Sequence, residues 1–156
     1  MRALRYSIAG LVAAVGLTVQ TALAGQGQLY MAGDSLHQIV LDMTLATGGI
    51  ITINYVSPAS PVVHGLHLTL IETHREAEVH YFSVLRNGRK CASLDLRPSQ
   101  NADIILADVN DRTFAFSRIS ESAVKVQRQA LQHVADSQRG FPNKGLIKGY
   151  TFLSQC

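Results

Sequence analysis

Residues 62–97, VVHGLHLTLIETHREAEVHYFSVLRNGRKCASLDLR, decide the fold class. Towards the end of this stretch, Asn87 and Gly88 separate two runs in which apolar residues recur at every second position. Both residues tolerate positive φ, as a type I′ turn requires, and that turn matches the twist of the flanking strands. The stretch therefore predicts a β-hairpin, and it is preceded by a further strand over residues 62–72.

The turn at Asn87 and Gly88 also predicts the register of the hairpin, because cross-strand partners follow from the turn residues. One face of the predicted pair is more apolar than the other, and we assign it to the core together with the alternating leucines Leu66, Leu68 and Leu70. The core face pairs Leu85 with Lys90, Tyr81 with Leu94 and Val79 with Leu96, and the other face pairs Val84 with Cys91, Phe82 with Ser93 and His80 with Asp95.

Residues 35–47 fit two structures. Asp34 or Ser35 followed by Gln38 resembles a helix N-terminus, and Gly48-Gly49 would end such a helix. Against that, apolar residues alternate with others from Ile39 to Leu45, which is the period of a strand. We favour a strand that turns at residues 47–49 and folds back, placing Leu45 opposite Ile51, Met43 opposite Ile53 and Leu41 opposite Tyr55.

The remaining pattern completes a mainly β (α+β) fold. A last hairpin turns at Asn110-Asp111, with Ala107 opposite Phe114 and Ile105 opposite Phe116. About seven strands with short links predict an antiparallel meander that forms a barrel or a curled sheet.

A helix is predicted after the strands, over residues 121–138. Ser120 supplies its N-cap, while Gly140 and Pro142 end it. A short final strand is predicted within residues 145–156. The apolar stripe of the helix consists of Ile119, Ala123, Val126, Ala130 and Val134.

Residues 1–24 have the layout of a signal peptide. Arg2 and Arg5 precede an apolar run that is too short to span a bilayer, and Ala22-Leu23-Ala24 is a small-x-small cleavage site. We therefore expect residues 25–156 to form a single exported β-rich domain, periplasmic or secreted, that does not span the membrane after signal removal.

The two cysteines, Cys91 and Cys156, are the only ones in the chain. In an oxidising compartment such a pair is expected to form a disulfide. It would close a loop of about 66 residues, for which the chain-entropy model gives roughly 4 kcal/mol of stabilisation. The bridge would bring the C-terminal segment onto the face that carries Ile71, Phe82 and Val84.

Charge argues against nucleic acid as the partner. Without Arg2 and Arg5 the chain keeps 12 basic and 11 acidic residues, a net charge of +1, which is far from a polycation. Basic residues nevertheless concentrate after residue 121, and we treat them as a candidate surface for a protein or cell-envelope partner. They are Lys125, Arg128, Arg139, Lys144 and Lys148.

Four of the six histidines lie in residues 62–97. His64 and His67 would point to opposite faces of a strand, and His67 and His80 would lie roughly 13 Å apart, so we expect no metal site. His80 opposite Asp95, with Ser93 nearby, is a candidate His–carboxylate pair. No nucleophile elbow accompanies it, so an ion pair is favoured over catalysis, and no catalytic residue or cofactor is assigned.

Three functions remain compatible with the sequence. The leading hypothesis is an exported, non-catalytic binding protein: an inhibitor, an immunity factor or an accessory subunit of an envelope assembly. The alternative is a β-barrel that carries a small apolar ligand. A hydrolase using His80 and Asp95 is the third. The interior of the ligand-carrying barrel would be lined by Leu41, Met43, Ile53, Leu66, Leu68 and Tyr81.

Overall fold

The computed structural model describes residues 28–33, 36–43, 48–57, 60–137, 153 and 155–156. The predicted signal peptide and most of the predicted final strand lie outside these residues. The described part contains eight strands and one helix: β1 (Leu29–Gly33), β2 (His37–Asp42), β3 (Gly48–Ser57), β4 (Ser60–Glu76), β5 (Val79–Arg86), β6 (Arg89–Pro98), β7 (Ile104–Val109), β8 (Arg112–Ile119) and α1 (Glu121–Ser137).

The eight strands form a closed antiparallel barrel. Each strand pairs with the next one along the chain, and β8 pairs with β1 to close the sheet. The fold class predicted from the sequence is therefore confirmed, with the barrel as the form that the sheet takes. The strand count rises from about seven to eight because Leu29–Gly33 pairs with both β2 and β8.

The barrel interior is filled by side chains from every strand. Strands of a half-buried sheet alternate between inward and outward residues, and β5 and β7 show this alternation throughout. A barrel of eight strands is just wide enough for its own side chains to fill. The largest fully buried side chains are Tyr30, Phe116, Ile39, Leu41, Ile51, Leu68, Leu70, Leu94, Leu96, Val56 and Val84.

Two predicted turns are confirmed. Asn87 and Gly88 adopt φ values of 51° and 77°, as the type I′ turn requires. Asn110 and Asp111 also have positive φ. The predicted register between β7 and β8 is correct as well, with Ala107 opposite Phe114 and Ile105 opposite Phe116.

The region of residues 35–47 is a strand where it is described, but its predicted register is wrong. Leu41 pairs with Ile51 rather than with Tyr55, a slip of four residues. The slip occurs because Gly48 belongs to β3 and not to the turn. A Cβ at Gly48 would lie 2.2 Å from the carbonyl oxygen of Leu70 on β4, so close strand packing requires glycine there. The slip is even, so the inward face is unchanged.

The predicted register between β5 and β6 holds at the turn and then fails. Leu85 pairs with Lys90 as expected, but the register shifts between Val84 and Leu85, and Val84 pairs with Ala92. Cys91 is thus the extra residue of a β-bulge, and such a bulge exchanges the two faces of a strand. The inward residues are consequently His80, Phe82, Val84, Ala92, Leu94 and Leu96.

Helix α1 lies against the outer faces of β2, β3 and β4. Its N-cap is confirmed, because the amide of Ala123 donates to Oγ of Ser120 at 3.2 Å. The predicted apolar stripe is wrong, since the buried residues are Leu131 and Ala135 while Val126 is 61% exposed. The helix packs instead through Leu131 and Ala135 against Val56 and Val63 of the barrel, and the Gln38 side chain donates to the carbonyl of Val124 beneath it.

The Cys91–Cys156 disulfide is confirmed, with a Cα–Cα distance of 5.2 Å. The prediction that the C-terminal segment covers a sheet face formed by Ile71, Phe82 and Val84 is wrong. Phe82 and Val84 point into the core, and Ile71 is 47% exposed. The tail instead lies across two turns at one end of the barrel. Arg86 donates to the carbonyl of Cys156, Gln155 contacts Asn110, and Leu153 joins the core.

Candidate binding surfaces

The candidate pair of His80 and Asp95 does not form. His80 is buried on the inward face opposite Leu96, whereas Asp95 lies opposite Tyr81 on the outer face. The bulge at Cys91 is the cause, because it moves Asp95 out of step with His80. Ser93 is exposed on the outer face, so the structure does not bring the predicted Ser, His and Asp together.

His80 has a different carboxylate partner. Its Nδ1 atom lies 3.4 Å from Oε2 of Glu72, and Arg75 binds the same carboxylate at 3.0 Å. Burial raises the pKa of Glu72, but the hydrogen bonds from Arg75 and His80 outweigh burial and hold this pKa below its ordinary value. The three side chains form a hydrogen-bonded cluster near the β4–β5 turn.

The other histidines of residues 62–97 are dispersed. His67 is exposed beside Thr52, and His74 stacks on Tyr81 with ring centroids 4.1 Å apart. His64 stacks on Tyr55. Among the residues that the structure describes, no group of three His, Cys, Asp or Glu side chains is placed to hold a metal ion.

Two grooves open on the surface of the described part of the protein. The first, which we call the charged groove, lies between β6 and the β7–β8 turn. The ladder between β6 and β7 has only four pairs, from Asp95–Asp108 to Pro98–Ile105, and the strands separate beyond it. The space measures about 870 Å³. Its lining consists of Lys90, Cys91, Ala92, Ser93, Asp95, Asp108, Val109, Asn110, Asp111, Arg112, Thr113 and Gln155.

Two carboxylates of the charged groove face each other across the ladder. Arg97 binds Asp108 at 2.9 Å and Thr113 donates to it, and these bonds hold the pKa of Asp108 below its ordinary value. Burial, followed by the charge of Asp108, raises the pKa of Asp95. The groove thus carries one ionised carboxylate with partners and one that is harder to ionise.

The second groove, which we call the seam groove, opens between β1, β8 and the helix. The β1–β8 ladder ends after Met31–Ser117, and α1 forms a third wall beside the gap. The groove measures about 830 Å³, and the lining residues that the structure describes include no Asp, Glu, Lys or Arg. That lining consists of Met31, Ala32, Gly33, His37, Gln38, Phe114, Ala115, Ser117, Gln127, Ala130, Leu131 and Val134.

The outer surface of β3, β4 and β5 forms a third candidate surface, which we call the uncharged face. Ile50, Thr69 and Leu85 lie in one cross-strand row. Ile50 is 41% exposed, and Ile71, on the same side of β4 as Thr69, is 47% exposed. Thr52 and His67 continue the face. It presents exposed apolar groups among polar ones, and its row of Ile50, Thr69 and Leu85 is bordered by Asp42 on β2 and Lys90 on β6.

The predicted basic surface is described only in part. Lys125 and Arg128 are exposed on α1, and Lys125 lies 3.5 Å from Glu121 of the same helix. Arg139, Lys144 and Lys148 lie outside the described residues. Binding of a partner through these side chains stays a prediction.

Neither groove is predicted from the sequence. Both arise where a ladder stops after a few pairs, and ladder length depends on how strongly the closed barrel twists. The one sequence feature that bears on the seam groove is the predicted apolar stripe of α1, because its residues Ala130 and Val134 line that groove. A stripe that does not pack on the barrel is available to line a groove.

Comparisons with protein-family models, with curated proteins and with solved structures found no match. The disulfide indicates an oxidising, extracytoplasmic environment. Within the described part of the chain, no helix has the length and hydropathy needed to cross a membrane.

Proposed function

We propose that the protein is an exported, non-catalytic binding protein that docks a protein partner on the uncharged face. This is the role expected of an inhibitor, an immunity factor or an accessory subunit of an envelope assembly. The observation that carries the proposal is the exposure of Ile50 and Ile71 on the same sheet surface. Exposed apolar groups that form a patch, rather than lying singly, are typical of interaction sites.

The surroundings of these isoleucines favour docking as well. Thr52, Thr69 and His67 can form hydrogen bonds at an interface without the desolvation cost of a charged group. The opposite side of the barrel differs, because Asp108 and Arg97 form an ion pair there. A partner would have to desolvate that pair, which is costly.

Export is supported by two observations. The disulfide places the folded chain in an oxidising environment, and residues 1–24 have the sequence layout of a signal peptide. We therefore propose a periplasmic or secreted location. Lys125 and Arg128 project from α1 beside the barrel, where they would steer an acidic partner towards it.

The test is capture of partners by the oxidised, mature protein from its own envelope and extracellular fractions. Replacing Ile71 by Lys puts a charge at the centre of the uncharged face, and the captured partner is expected to fall at least tenfold. Ser93→Lys adds the same charge to an exposed strand position on β6 and is the matched control.

Equal capture by wild type, Ile71→Lys and Ser93→Lys would remove the uncharged face from the proposal. Replacing Lys125 and Arg128 by Ala separates steering from docking. If these two residues steer the partner, the double variant should bind the partner with a lower association rate and a weaker salt dependence of that rate. Its dissociation rate should be unchanged.

A further inference from the structure

We propose that the seam groove binds the alkyl chain of a neutral amphiphile, such as the acyl chain of a lipid with an uncharged headgroup. The geometry that points to it is a three-walled groove of about 830 Å³ at the place where β1 and β8 separate beside α1, and its described lining residues include no Asp, Glu, Lys or Arg. This site lies away from the uncharged face and does not depend on its partner.

The shape of the groove suits an extended chain. One wall is β1 with the start of β2, the second is β8, and the third is the α1 segment from Gln127 to Val134. The volume lies within the range of small-molecule sites, which is about 300–1,000 Å³. The groove is open along one side, so a chain can lie in it while its headgroup stays in water.

The lining chemistry selects against charge. Met31, Ala130 and Val134 present partly exposed aliphatic surface, and methionine adapts its shape to different apolar ligands. A carboxylate or ammonium group would lose its hydration without gaining a counter-charge from an Asp, Glu, Lys or Arg of the described lining. A neutral chain pays no such cost, so its burial is favourable.

One of the polar side chains in the lining is already hydrogen-bonded within the protein. The Gln38 side chain accepts from the Asn54 amide at 2.8 Å and donates to the carbonyl of Val124 at 3.0 Å, so its polar atoms already have partners within the protein. The barrel interior offers no alternative site for the alkyl chain, because the protein's own side chains fill it. A ligand site outside the barrel therefore replaces the interior site expected from the sequence. Of the six residues predicted to line that interior, Tyr81 faces outward and stacks on His74.

The test uses octyl and decyl maltoside below their critical micelle concentrations, titrated calorimetrically into the oxidised protein. Each methylene buried in the groove should improve affinity about fourfold, so decyl maltoside should bind about 15-fold more tightly than octyl maltoside. Ala130→Trp fills the groove from the helix wall and should weaken binding of decyl maltoside at least tenfold. Val126→Trp lies on the same helix outside the lining and should bind like wild type.

Three results would overturn the proposal: no saturable binding, the same affinity for both chain lengths, or an unchanged affinity in Ala130→Trp. A dimer in light scattering that Ala130→Trp disrupts would also overturn it, because a second copy would then occupy the groove. If Ala130→Trp does not fold by circular dichroism, Ser117→Phe on the opposite wall takes its place. Ile71→Lys should leave chain binding unchanged, which separates this site from partner docking.

Discussion

The charged groove and the seam groove have the same structural origin and opposite chemistry. Each opens where two neighbouring strands separate, after four pairs between β6 and β7 and after three pairs between β1 and β8. Their volumes are similar, about 870 and 830 Å³. The first is lined by Lys90, Asp95, Asp108, Asp111 and Arg112 among others, and the described lining of the second has no such residue.

The comparison shows that the side chains, and not the size of a gap, decide what a groove can bind. In the charged groove Asp108 already has partners, Arg97 and Thr113. The seam groove instead holds aliphatic surface in contact with water, which is the condition that a bound apolar chain relieves.

The largest expected effect concerns the Cys91–Cys156 disulfide. Its residue Cys91 lines the charged groove. Replacing Cys91 and Cys156 by Ser should lower the free energy of unfolding by about 4 kcal/mol, because the unfolded chain loses its crosslink. Urea unfolding of the oxidised protein and the double variant measures the difference. Decyl maltoside should still bind to the folded variant. Loss of binding while the barrel remains folded would show that the two grooves are not independent.

A smaller effect is expected beneath the helix wall of the seam groove. Asn54→Ala leaves the buried Gln38 side chain without its amide donor, and an unsatisfied buried acceptor costs about 2 kcal/mol. Thermal unfolding measures this loss, with Thr52→Ala on the same strand as the control. We also expect weaker binding of decyl maltoside, because Gln38 positions α1 through Val124. Equal stability of the two variants would contradict this role of Gln38.

The smallest effect concerns the like charges of the charged groove. The pKa of Asp95 is raised in the folded protein by burial and by Asp108, so ionisation of Asp95 weakens the fold. This penalty is absent below the unfolded pKa and develops as the pH rises through the raised value. After allowance for solvent screening, Asp95→Asn should stabilise the protein at pH 7 by a few tenths of a kcal/mol.

Denaturant unfolding at pH 3 and pH 7 checks this sign. The gain from Asp95→Asn should be present at pH 7 and vanish at pH 3. Asp108→Asn should act in the opposite direction, because the bonds from Arg97 and Thr113 lower the pKa of Asp108 and favour its charged form. That stabilisation is present above the unfolded pKa and is lost as the pH falls through the lowered value. A gain from both substitutions would contradict the assignment.

Local turn chemistry was sufficient to predict much of the barrel. Asn87-Gly88 and Asn110-Asp111 both mark turns between adjacent strands, and the register at the second turn follows for the whole hairpin. The disulfide followed from the cysteine count. Each of these inferences needed only neighbouring residues or a count, and each is confirmed.

The errors arose where distant contacts decide the outcome. The bulge at Cys91 has no local signal in the sequence, and it coincides with the bond to Cys156 and with the inward position of Phe82 and Val84. The helix stripe was misassigned because the residues on which the helix packs, Val56 and Val63, lie far away in sequence. Both grooves depend on ladder lengths that closure of the whole barrel determines.

The most direct test of this account follows backbone amide signals by two-dimensional NMR while decyl maltoside is added to the oxidised protein. We predict saturable shifts at Met31, Ser117 and Ala130 around the seam groove, with Ser93 and Thr113 of the charged groove unchanged. Shifts confined to the charged groove, or equal shifts at both grooves, would contradict the claim that lining chemistry selects the ligand.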